Sequence, residues 1–107
     1  MNKIIKIHTY EIIIKAEEMS KLLNRACSKK KAPMKITGCC KSGDILVICL
    51  EENNSEERFE YVFAEFPSAS TEDIIGEISS RYFAGFSTIA SFDVQDLTYG
   101  LFSRIKE

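Results

Sequence analysis

The chain has 107 residues, with 14 Lys/Arg, 16 Asp/Glu and one His, for a formal net charge of −2. Hydrophobic residues make up 45% and charged residues 28%, ordinary for a globular domain and enough to exclude a disordered chain. The charge is unevenly divided: residues 1–50 carry ten Lys/Arg and four Asp/Glu, whereas residues 51–107 carry four and twelve. Such a division points to an anionic partner, or to oppositely charged surfaces that meet.

No run approaches the roughly eighteen apolar residues of a membrane-spanning helix. Met1–Ile14 is rich in isoleucine, but Lys6, His8 and Glu11 interrupt it and no small-residue cleavage site follows, so it is not read as a signal peptide. A single domain over residues 1–107 is expected, in the cytoplasm and with no membrane partner. There the four cysteines would be thiols rather than a disulfide framework.

In chain order, Lys3–Ile14 predicts a strand, because Ile4, Ile5, Ile7, Ile12, Ile13 and Ile14 are β-branched and fall on both faces. A helix beginning as early as Ile12 is the competing assignment. From Glu17 the period becomes helical: Met19, Leu22, Leu23 and Ala26 share a face, with Cys27 at its edge. Lys29, Lys30 and Lys31 crowd its last turn, and Pro33 stops it. Lys35–Lys41 and Asp44–Glu51 flank Ser42-Gly43, read as a two-residue hairpin loop. A polar loop then leads to a strand over Arg58–Phe66, with Phe59, Tyr61 and Phe63 on one face.

Ser70 and Asp73 form a capping box for a helix over Thr71–Phe83, expected to bury Ile74, Ile75, Ile78 and Tyr82. Gly85 is placed to cap its end. Phe86–Phe92 and Leu97–Ile105 alternate as strands around a turn at Asp93–Asp96. No internal repeat is visible.

This order predicts an α+β fold, a two-layer sandwich. It resembles the ferredoxin-like βαββ(β)αβ(β) arrangement, which implies a mostly antiparallel sheet with two helices on one face. The resemblance is one of element order and implies no function. Leu97–Ile105, with few charges, is expected at an open sheet edge, a natural route to a two-fold homodimer.

Lys21, Arg25, Lys29, Lys30, Lys31 and Lys35, with Lys41, form a candidate anion-binding face along the first helix and the start of the hairpin. Glu56, Glu57, Glu60 and Glu65 surround the aromatic strand and repel phosphate. Phe59, Tyr61 and Phe63 are therefore read as core residues rather than as a platform for bases.

Cys39 and Cys40 are candidate reactive thiols. As neighbours on a strand they point to opposite faces, which disfavours a shared metal, and the spacing is no CxxC. Cys39 is assigned to the Lys35/Lys41 side, exposed, where the lysines would lower its pKa. With the loop at Ser42-Gly43, Ile45 opposes Cys40 and Cys49 stands near Ile36, far from Cys40. Cys27 and Cys49 read as core. His8 has no local partner, and no catalytic residue, cofactor or metal is expected. The expected function is a non-catalytic binding or assembly domain acting as a homodimer, its ligand unassigned. The alternatives are a nucleic-acid accessory protein using the first helix, and thiol or soft-metal handling through Cys39 and Cys40.

Overall fold

The computed structural model describes residues 2–106. The chain runs β1 (Lys3–His8), α1 (Thr9–Cys27), β2 (Met34–Ser42), β3 (Ile45–Glu52), β4 (Phe59–Glu65), α2 (Thr71–Phe83), β5 (Ser87–Val94) and β6 (Leu97–Ile105). The strand expected through Ile14 ends at His8. Starting the helix at Thr9 turns Ile12 into the same buried stripe as Met19, Leu23 and Cys27, and sends Ile14 to solvent. The Thr9 amide donates to the Asp44 carbonyl at 2.9 Å, which ties the first helical turn to the β2–β3 turn. The backbone leaves helical values at Lys15 (φ −138, ψ 46), so the isoleucine-rich first turns meet the rest of α1 across a kink.

The fold is α+β, with two helices and two antiparallel three-stranded sheets. Sheet A has the order β1-β3-β2 and sheet B the order β4-β6-β5. This differs from the single sheet with both helices on one face. The reason lies in β4, whose two edges are both taken: β6 pairs with one, and Ser20 and Asn24 of α1 bond the other, so β4 belongs to a second sheet. Buried Asn53 turns the chain there. Its side-chain amide donates to the Glu57 carbonyl at 2.8 Å, and its Oδ1 accepts from the Ser55 amide and hydroxyl. The last strand is likewise not an open edge. β6 lies in the middle of sheet B, with Leu101 and Phe102 on opposite faces and both fully buried.

The two sheets belong to one βαββ plan used twice. In each unit the third strand is central, and the first and second strands pair with it antiparallel. Each hairpin closes through two residues, Gly43-Asp44 and Gln95-Asp96, the first left-handed (φ 59 and 56) and the second an aspartate. Each also carries a bulge at the same place: Thr37 stands five residues before Ser42, and Ile89 five before Val94. Aligned on these turns, Leu46, Ile48 and Leu50 correspond to Thr98, Gly100 and Phe102, while Ile45, Val47 and Cys49 correspond to Leu97, Tyr99 and Leu101. Residue types did not reveal this duplication, because the matched positions share almost no side chains.

One cluster joins the α1 stripe to Ile7, Leu46, Ile48 and Leu50 of sheet A and to Tyr61, Phe63, Phe92, Val94, Tyr99 and Leu101 of sheet B. Phe59, Tyr61 and Phe63 share a face, as expected, and Tyr61 and Phe63 are buried. Phe66 and Phe102 pack edge to face on the other side of sheet B, 5.9 Å apart, where the Arg81 guanidinium of α2 lies 4.6 Å above the Phe102 ring. No described helix is long and apolar enough to cross a membrane.

Candidate functional site

α2 has the bounds its sequence predicts, but only half of the capping box forms, because the Ser70 amide donates to the Ser68 hydroxyl instead of to Asp73. Ser70 caps its start by accepting from the Asp73 amide at 3.2 Å. At its end Gly85 (φ 93) donates to the Tyr82 carbonyl and Phe86 to the Arg81 carbonyl, the paired bonds of a Schellman motif. Its burial is not as predicted. No residue of α2 is fully buried; Ile74, Ile78 and Arg81 are half-buried, whereas Ile75 is 58%, Tyr82 69% and Phe83 87% exposed. The helix packs on sheet B by one side and turns a second apolar side to solvent. Ile78, Tyr82, Phe83 and Phe86, with the start of β5, outline a shallow apolar hollow there.

Sheet A also has an open face. Leu46, Ile48 and Leu50 point into the core, while Ile45, Val47 and Cys49 alternate to the outer side, beside Ile4 of β1 and Cys40 of β2. Ile4 is 60% exposed. The two outer edges of β1 and β4 are treated differently. At β4, Asn24 of α1 accepts from the Tyr61 amide at 2.7 Å and donates to the Tyr61 carbonyl at 3.0 Å, and Ser20 accepts from the Phe63 amide at 3.0 Å. At β1 no such partner exists among the described residues.

The hairpin register differs from the sequence reading by one residue at the turn and by one bulge at Thr37. Cys40 therefore opposes Val47, and Cys49 opposes Gly38, so Cys40 and Cys49 lie diagonally on the same outer face. Cys39 opposes Ile48 on the inner face, the reverse of the exposed position expected for it. Burial, with lesser contributions from Cys40 and Cys49, pushes its thiol up from 9.0 to about 12, away from thiolate chemistry at neutral pH. Burial pushes Cys27 up to about 11. Cys40 is exposed. No group of three or more His, Cys, Asp and Glu able to hold a metal ion occurs among the described residues.

The basic residues are only partly gathered. Lys29 and Lys30 line a cleft of about 600 Å³ at the C-terminal end of α1, floored by Pro33, Met34 and Phe59. Arg58 and Lys106 join them from the acidic half, and among the described residues Glu60 is the one acid on its wall. Lys21 and Arg25 lie outside it on the exposed face of α1, with Lys21 paired to Glu17 at 3.5 Å. Lys35 is drawn into sheet A opposite Glu51, and Lys41 donates to the Asp93 carbonyl at 2.8 Å. Arg58 and Lys106 escaped the sequence reading because sheet B pairing alone brings them to this corner; the Lys106 amide donates to the Arg58 carbonyl at 2.7 Å. Compared with known protein families, characterised proteins and solved structures, the chain matches none.

Proposed function

We propose that the protein is a non-catalytic binding and assembly domain that self-associates. The observation that carries this reading is α2, which has helix caps at both ends yet leaves Ile75, Tyr82 and Phe83 in water. Three large apolar side chains together on one helix contribute no burial energy while they face water and favour association, and contiguous patches of this kind are the usual mark of interaction surfaces. The charge division adds a means of attraction between copies, since a basic half can meet an acidic half. Sedimentation velocity across a concentration series tests the reading. Association in the micromolar range that weakens with added salt supports it. A monomer at high micromolar concentration ends it.

A second reading rests on the cleft lined by Lys29, Lys30, Arg58 and Lys106. Four cations around an apolar floor suit a phosphate-bearing ligand, nucleic acid included. Here replacing Lys29, Lys30 and Lys31 with Glu abolishes binding to a single-stranded oligonucleotide, and each lost phosphate contact lowers the salt slope by about one. The acidic second half argues that wild-type binding at physiological salt is weak. A low-micromolar mobility shift under those conditions would move this reading ahead of the first.

A further inference from the structure

Two copies of one βαββ plan in a single chain leave the ends unlike the middle. Within the chain, α1 packs on its own sheet A, then covers a second sheet: Ser20 and Asn24 close the outer edge of β4, and the α1 stripe shares a core with Phe63, Tyr99 and Leu101. The equivalent place on sheet A is the outer edge of β1 with Ile4, Val47 and Cys49 beside it; Ile4 opposes Cys49 just as Phe63 opposes Leu101. Among the described residues no helix lies there. The equivalent helix is α2, packed on its own sheet B and open on its other side.

We infer that a second copy of this chain completes both ends: α2 of one copy docks on the β1 edge and outer face of sheet A of the next. The contact that α1 makes with sheet B inside the chain is thus repeated between chains. Charge favours this pairing over like against like. β1 carries Lys3 and Lys6, both exposed, and the first turn of α2 carries Glu72 and Asp73. A two-fold contact of α2 with α2 would bring two copies of the acidic half together, whereas the head-to-tail contact sets the acidic half against the basic one. The two surfaces differ, so each contact runs head to tail; it closes as a reciprocal pair where the second copy's α2 returns to the first copy's sheet A, and otherwise it propagates into a ring or a filament. This inference rests on the self-association reading and specifies its geometry.

Complementation by mixing tests it. Phe83→Glu blocks the α2 surface and Ile4→Glu blocks the β1 surface, and both positions are exposed enough to leave the fold intact by circular dichroism. The wild type is expected to assemble as concentration rises, and each variant alone to remain monomeric. An equimolar mixture is expected to form a species of two chains and no larger, since one good surface of each kind survives. Cys40, on the outer face of sheet A, is expected to label more slowly with a bulky maleimide as wild-type concentration rises, but not in Phe83→Glu. If Ile4→Glu assembles as the wild type does, or the mixture stays monomeric, the head-to-tail geometry is wrong while self-association stands. A wild type that is monomeric at every concentration removes the self-association reading, and this inference with it.

Discussion

The two βαββ units share strand order, bulge and turn, yet they solve burial in opposite ways. In the first unit the helix side of the sheet carries Leu46, Ile48 and Leu50, a continuous aliphatic surface that α1 covers with a 19-residue helix. In the second unit the matching positions are Thr98, Gly100 and Phe102, and the helix has 13 residues. Gly100 is what allows the difference. A Cβ there would stand 2.7 Å from the Phe102 ring and 3.0 Å from Phe66, so the missing side chain makes room for two aromatic rings to lie over the sheet. Two rings and the Arg81 guanidinium do the covering that a longer apolar helix does in the first unit. One plan can thus be stabilised by a helix stripe or by an aromatic pair, and the second solution leaves the helix free to face outward.

The largest test of this contrast is Phe102→Ala. Removing a fully buried ring leaves a cavity and is expected to cost about 3–5 kcal/mol. Because both units feed one core cluster, calorimetry should show a single transition at lower temperature. Two separate transitions would mean that the units fold independently.

Asn24→Ala comes next. It strips the outer edge of β4 of both partners at Tyr61 and is expected to cost about 2 kcal/mol in urea unfolding. It should also open the β4 edge at Tyr61, leaving Ser20 on Phe63, with an increased tendency to aggregate. An unchanged unfolding midpoint would show that water replaces Asn24 without loss and that the two edges are not different in kind.

Cys39 makes the comparison pH-dependent. Its folded-state pKa is raised from 9.0 to about 12, so below pH 9.0 the thiol is neutral in both states and its contribution is intact. As pH rises from 9.0 toward 12, the unfolded chain releases the proton while the folded chain holds it, and stability falls. Cys39→Val should flatten the alkaline decline in urea midpoint relative to wild type. An identical decline in both proteins would place the ionisation elsewhere.

The smallest effect is at the turns. Gln95 adopts the left-handed backbone that Gly43 adopts in the other unit, at a cost glycine avoids. Gln95→Gly is expected to gain about 0.5–1 kcal/mol, read as a higher melting temperature. A loss instead would mean that the Gln95 side chain stabilises the turn beyond what its backbone costs.

Much of this was legible in the residues. The α2 boundaries, with Ser70 at one end and Gly85 at the other, follow from capping chemistry that acts within a few residues. The Phe59/Tyr61/Phe63 face follows from the two-residue period of a strand. Local signals failed where the chain could satisfy them in two ways. Ile12 to Ile14 suit strand or helix equally, and the helix puts Ile12 into the buried core cluster while Ile14 faces solvent. Ser42-Gly43-Asp44 allows two turn positions, and choosing Gly43-Asp44, with the bulge at Thr37, sent Cys39 inward and Cys40 outward. The basic cluster was scattered for the same reason: neighbours in sequence need not share a surface once a sheet forms.

The sequence by itself determined the α+β class, the number of helices, the bounds of α2, and the opposed charges of the two halves. These depend on periodicity, backbone chemistry and composition, all of which act locally or by simple addition. Tertiary structure decided that β4 pairs into a second sheet rather than extending the first, that the two units repeat one plan, and which apolar faces were left uncovered. Those outcomes depend on pairing between distant strands and on competition for a limited buried volume, which no local stretch of residues records.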